Sequence, residues 1–162
     1  MTPQEFAQLM KTNQQLAIGP HGDQAHDLLQ PAPKLAYTMT SNKVPTEHEE
    51  QVALFQWAEG SGIEELRWMF SIPNGGYRHP ATAYKMKSEG QKPGVPDICI
   101  AVPMPPYKGA FIELKRSDHS NHATDEQNEW MTHLHAVGYF VATCYGCEEA
   151  ITAILNYLGL EA

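Results

Sequence analysis

Asp97, Glu113 and Lys115 are the residues whose types and spacing can do chemistry. Asp97 follows Pro96 at the head of the apolar run Ile98-Cys99-Ile100-Ala101-Val102, and Glu113-Leu114-Lys115 closes the run opened by Ala110-Phe111-Ile112. Both runs are short, β-prone and bounded by Pro or Gly, which predicts two buried strands joined through a turn over residues 103–109. Paired as a hairpin, they bring Asp97 beside Glu113. Strand alternation then places Phe111, Glu113 and Lys115 on one face and Ala110, Ile112 and Leu114 on the other. Two adjacent carboxylates repel unless positive charge lies between them, and a hard divalent cation with oxygen ligands, Mg²⁺ or Mn²⁺, fits that need. Such an ion polarises a phosphoryl oxygen and activates water, while Lys115 stands where it can stabilise or position the nucleophile. This is the chemistry of phosphodiester hydrolysis. The same three residues also fit an ordinary strand pair with a surface Glu113–Lys115 ion pair and an aspartate that merely follows a proline turn.

The elements that must position these groups are legible on either side. Thr46 followed by Glu49 is a capping box that opens a helix over residues 46–59. On its wheel Leu54, Phe55, Trp57 and Ala58 mark an apolar face. Glu47 falls in line with that face, Gln51 follows one turn later, Glu49 points away and Glu50 lies on the margin. Glu47 is either charge suited to a helix N-terminus or an acid aimed at the site. Residues 66–72 read as a first strand, turned by Pro73-Asn74-Gly75-Gly76, whose backbone amides either make a tight turn or approach a phosphate. Arg78, Lys85, Lys87 and Lys92 follow, with a short helix over residues 81–88 presenting Tyr84 among the lysines. Together with Asn74 and Arg116 they form the expected DNA-contacting set. Thr124 with Gln127 is a second capping box, opening a helix through Trp130, Met131, Leu134 and Val137 to Gly138. A last strand over residues 139–143 and a closing helix over residues 147–158 complete the order helix, three strands, helix, strand, helix.

Composition bounds the rest. The 162 residues suit one domain, residues 46–162, preceded by an extended or poorly ordered arm over residues 1–45, rich in Gln, Pro and His. No apolar run is long enough for a membrane span and the start lacks a signal pattern, so a soluble cytoplasmic protein is expected. Three cysteines with no secretory signal argue for free thiols. Cys144 and Cys147 make a CxxC, but His133 and His135 lie about 200° apart on a helix and cannot share one metal with it. The formal net charge of −8 disfavours nucleic acid as a partner until it is located. Residues 67–116 hold eight Lys or Arg against three acids, and the remainder holds three against sixteen. An acidic body with a basic working segment suits a nucleic-acid enzyme; chance clustering of solvated charges suits the same numbers.

Glu47 with Gln51, then Pro73-Asn74-Gly75-Gly76, Gly94-Val95-Pro96-Asp97, Glu113-Leu114-Lys115, and Gln127 with Trp130 resemble, in this order, the VRR-NUC branch of the PD-(D/E)XK nucleases. The resemblance spans residues 46–158. It implies an α/β fold with a restriction-endonuclease-like core, a central mixed sheet flanked by helices, and divalent-metal-dependent cleavage of DNA. For stand-alone members it implies a homodimer acting on branched DNA such as four-way junctions. It implies further that Glu47, Asp97 and Glu113 hold the metal, that Lys115 assists the attacking water and that Gln127 supports the site. Trp130 stands where related motifs often carry Tyr. An exonuclease acting on DNA ends and a non-catalytic DNA-binding module are the alternatives on the same fold.

Overall fold

Alternating apolar residues in the two central runs can be buried only if both faces of their sheet are covered, and the architecture follows from that need. A computed structural model describes residues 43–73 and 80–160; the turn at Asn74, Gly75 and Gly76, Arg78, and residues 1–42 of the expected arm lie outside them. The elements are α1 (Glu47–Gly60), a 3-10 turn (Glu64–Trp68), β1 (Met69–Ser71), α2 (Pro80–Ser88), β2 (Ile98–Ile100), β3 (Ala110–Lys115), α3 (Asp125–Ala136), β4 (Phe140–Tyr145) and α4 (Cys147–Leu158). The strands form a mixed sheet in the order β1-β2-β3-β4. β1 with β2 and β2 with β3 are antiparallel, whereas β3 and β4 run parallel. A parallel neighbour needs a crossover, and α3 supplies it.

One sheet face carries Met69, Ile98, Ile100, Ala110, Ile112, Leu114, Phe140 and Cys144, packed with Leu54, Trp57 and Ala58 of α1 and Ala150, Ile154, Leu155 and Leu158 of α4. Ile98, Ile100, Ile112 and Leu114 have no exposed surface, and burial of each contributes about 1.5–3 kcal/mol. The opposite face, with Phe111 and Val141, meets Met131 and Leu134 of α3. Both capping boxes form: Thr46 accepts from the Glu49 N–H, Thr124 from the Gln127 N–H, and each third-position side chain returns the bond.

Three expectations need correction. The strand expected over residues 66–72 is a 3-10 turn followed by three strand residues. Its charged stretch Glu64-Glu65-Leu66-Arg67 closes a local ion pair, Arg67 to Glu64 at 2.7 Å, and buries only Leu66. β2 ends at Ile100 because the next backbone groups find other partners: the Ala101 N–H donates to the Trp68 carbonyl, and the Val102 carbonyl accepts from the Tyr157 hydroxyl. The last strand is longer than expected, reaching Tyr145, since the parallel ladder continues through Leu114↔Cys144 to Lys115↔Tyr145.

Candidate active site

The β2–β3 register decides what Asp97 meets. Ile98 pairs with Ile112, so the residue before β2 stands across from Glu113. Asp97 Oδ2 accepts the Leu114 backbone N–H at 3.1 Å, which fixes its carboxyl group against the neighbouring strand. Pro96, fully buried, holds the chain as it enters the sheet. The preceding Gly94 has φ +77, and a β-carbon there would lie 2.6 Å from the backbone of Glu126 on α3. Only glycine allows that approach. Trp130 Nε1 donates to the Pro93 carbonyl at 3.0 Å, so α3 clamps the segment leading into Asp97 from two positions.

Glu113 and Lys115 do not form the surface ion pair of the ordinary strand reading. They are 1% and 5% exposed, and Lys115 Nζ donates to Glu113 Oε1 at 2.5 Å. Gln127 Nε2 donates to the same oxygen, while Gln127 Oε1 accepts the Thr124 N–H at 2.9 Å. One side chain thus completes a helix cap and steers a strand carboxyl group. Glu113 Oε2 is buried and has no hydrogen-bond partner. A buried carboxyl oxygen left in this state costs about 1–3 kcal/mol unless something fills the position.

The titration behaviour follows from the geometry. Burial, and then the charge of Asp97, push Glu113 up to about 7, against the opposing pull of Lys115. Burial likewise raises Asp97, opposed by the Leu114 N–H and Lys115. The two carboxyl groups stand close enough to perturb each other directly. Neither can donate unless it keeps a proton, so the pair must share a proton or a cation. Among the described residues no group of three or more His, Cys, Asp or Glu side chains converges as a ready-made metal cage. An ion that retains most of its waters needs only one or two carboxylates, and the orphaned oxygen of Glu113 beside Asp97 meets that requirement.

The acids of α1 separate differently from their wheel positions. Glu47 is half-buried and raised by burial and Asp97, with Lys115 and the Asn121 side chain favouring its charged form. It therefore faces the carboxylate pair. Glu49 is exposed and spent on the capping box. Glu50, expected on the margin, is buried: the inward stripe is Glu50, Ala53, Leu54, Trp57 and Ala58, while Phe55 is only partly covered. A buried acid needs a donor, and Glu50 has one in the Cys147 N–H at 2.9 Å. That donor comes from a helix 97 residues away, which no local pattern announces. Asn121 sits in a polar loop with no motif of its own, and Glu126, whose backbone seats Gly94, carries no sequence signal for that role.

Lys85 and Lys87 are exposed on α2, and Lys92 is exposed beside the cleft formed with Pro93, Glu126, Glu129, Trp130 and His133. Lys85 also lies 3.8 Å from Glu89. Arg116, next to Lys115, pairs with Asp118 at 3.0 Å. Cys144 and Cys147 are free, buried thiols. Burial pushes both up to about 12, so the fold favours the neutral thiol at both positions.

No family model matches the sequence, and no curated protein does. A solved structure described as a VRR_NUC domain protein matches with a TM-score of 0.61 and 26% identity, over 74% of this chain and 98% of that one. The chain is thus similar in fold and in sequence to a VRR_NUC domain protein, in line with the resemblance its motifs carry. The mixed sheet flanked by helices, with Asp97, Glu113 and Lys115 gathered at its β2–β3 end, matches the fold of that VRR_NUC domain protein. No helix among its described residues is long and apolar enough to cross a membrane.

Proposed function

We propose that this VRR-NUC domain, residues 46–162, is a divalent-metal-dependent endodeoxyribonuclease that hydrolyses phosphodiester bonds in branched DNA such as four-way junctions, acting as a homodimer. The observation that carries the reading is the carboxyl pair: Glu113 presents a buried, unpartnered oxygen beside Asp97 while its other oxygen is held by Lys115 and Gln127. Asp97 and Glu113, with Glu47 approaching from α1, would hold Mg²⁺ or Mn²⁺; the ion supplies a Lewis acid and neutralises phosphate charge.

The protein's own groups do the rest. Asp97 is anchored through the Leu114 N–H, so it presents its remaining oxygen without reorganising. Gln127 fixes the Glu113 carboxyl plane, and Lys115, buried and pre-aimed, orients a water and stabilises charge that develops as it attacks phosphorus. Lys85, Lys87, Lys92 and Arg116, with Asn74 and Arg78, would hold the DNA backbone against the acidic remainder of the chain. A two-fold dimer supplies two such sites to the two-fold symmetric junction. The free thiols support a cytoplasmic setting.

The test is incubation of purified protein with linear, nicked, flap and four-way DNA in Mg²⁺, Mn²⁺ or chelator, with light scattering at the same concentration. Junction resolution that needs metal and is lost in Asp97→Asn, with DNA binding retained, is the expected result. Progressive loss from DNA ends would identify the exonuclease, and binding without cleavage the non-catalytic module. Cleavage in chelator would overturn the mechanism.

A further inference from the structure

Among the described residues, Glu50 is the one buried acid that the proposed chemistry does not use. It sits one turn after Glu47 on α1, 8% exposed, and its Oε2 accepts the N–H of Cys147, the first residue of α4. The residue before, Gly146, is the N-cap of α4 and offers no side chain for capping. Its φ is +89, and a β-carbon there would stand 2.9 Å from Ser117 Cβ and 3.4 to 3.5 Å from the Glu50 carboxyl oxygens. A glycine here leaves room for Ser117 and keeps the backbone beside the acid. The Gly146 N–H, in turn, donates to the Lys115 carbonyl at 2.8 Å. Two consecutive backbone N–H groups, of Gly146 and Cys147, thus tie the end of β3, through the Lys115 carbonyl, to α1, through Glu50.

Glu47 completes the circuit. It lies on the same helix and feels both Lys115 and Asp97. Rotation of α1 about its axis would carry Glu47 away from the carboxyl pair, and residues three apart on a helix turn together. The Cys147 contact is a directional polar bond that, together with the packed stripe of Ala53, Leu54, Trp57 and Ala58, resists this rotation. We propose that Glu50 is a positioning residue: by capping α4 from α1 it sets the roll of α1 and thereby holds Glu47 on the metal side of the site. The inference rests on the metal-dependent reading above, and it assigns Glu50 no contact with metal or DNA.

The experiment uses the full chain with Mn²⁺ alone, followed by calorimetry, in the parent, Glu50→Gln, Glu50→Leu, Glu47→Gln and the Glu47→Gln/Glu50→Leu double variant. Hydrogen exchange at the Cys147 amide and the first turn of α1 is read in parallel. Glutamine keeps an oxygen acceptor, so Glu50→Gln should hold the Mn²⁺ dissociation constant within twofold and keep the Cys147 amide protected. Leucine fills the volume without an acceptor; it should weaken Mn²⁺ at least tenfold and expose the amide. Because Glu50 acts through Glu47, the double variant should bind no more weakly than Glu47→Gln alone. Independent, additive losses would overturn the proposal, as would unchanged affinity in Glu50→Leu or a Glu50→Gln as impaired as a ligand mutant. If Glu50→Leu does not fold, Glu50→Asp decides, since it keeps the charge but not the reach: affinity equal to the parent's would overturn the proposal. A parent that binds no Mn²⁺ removes the metal reading. The brace between α1 and α4 is then judged by exchange alone, and unaltered protection in Glu50→Leu overturns it.

Discussion

Replacing Glu113 with Gln should stabilise the metal-free protein at alkaline pH, although it removes one half of a buried ion pair. Burial and the neighbouring Asp97 move the Glu113 carboxyl from 4.5 to about 7, even with Lys115 bonded to it. A folded value above the unfolded one means that the protonated form fits the fold better than the ionised form. The stability it confers is therefore complete below about 4.5 and lost as pH rises through about 7. The full loss is roughly 3 kcal/mol at about 1.4 kcal/mol per tenfold change. For a chain of this size that corresponds to about 6–12 °C in melting temperature. Glutamine mimics the protonated acid and still accepts from Lys115, so Glu113→Gln should melt near the parent at pH 5 and above it by several degrees at pH 8.5. Mn²⁺ should restore the parent at pH 8.5 and leave the variant unmoved. The assay is thermal unfolding of chelator-treated protein across pH 5 to 8.5. A parent whose stability rises over that interval, or a variant less stable than the parent at both ends, would show that the ionised Glu113 is the form the fold prefers. Glu113–Lys115 would then be a satisfied structural ion pair.

Further outcomes follow from the same geometry. Glu47→Gln should lower single-turnover cleavage with partial rescue at high Mn²⁺ and little change in folding, whereas Glu49→Ala should lose some stability by breaking the capping box and keep its cleavage rate; a metal titration of both variants, with their melting temperatures, checks this. Gly94→Ala forces a β-carbon to 2.6 Å from the Glu126 backbone at φ +77, which should cost roughly 2–4 kcal/mol in denaturant unfolding. Gln127→Ala should slow cleavage through a misdirected Glu113 and cost about 1 kcal/mol from the loosened α3 cap, read by cleavage rate and urea midpoint together. Cys144→Ala with Cys147→Ala should leave metal content and cleavage intact while costing on the order of 1–2 kcal/mol, because both thiols are buried as apolar filler; stoichiometric zinc lost in this variant, measured by elemental analysis, would contradict that role.

Local chemistry made much of this protein readable from its sequence alone. Both capping boxes, the hairpin that sets Asp97 against Glu113, and the alternation that gives Glu113 and Lys115 a common face depend on residues within one turn or one strand pair, whose periodicities of 3.6 and 2 are visible in the chain. Where two partners lay far apart, the pattern was silent. The burial of Glu113 and Lys115 could not be read, because it depends on α3 covering their face, and without burial the pair reads as a weak surface bridge. Gln127 was explained by its cap, yet only the packed sheet brings its other end to Glu113. The roll of α1 was misjudged for the same reason. A wheel places an acid by its apolar neighbours, but Glu50 is buried by one N–H donor from the start of α4, and a hydrogen bond across 97 residues leaves no periodic trace in a sequence.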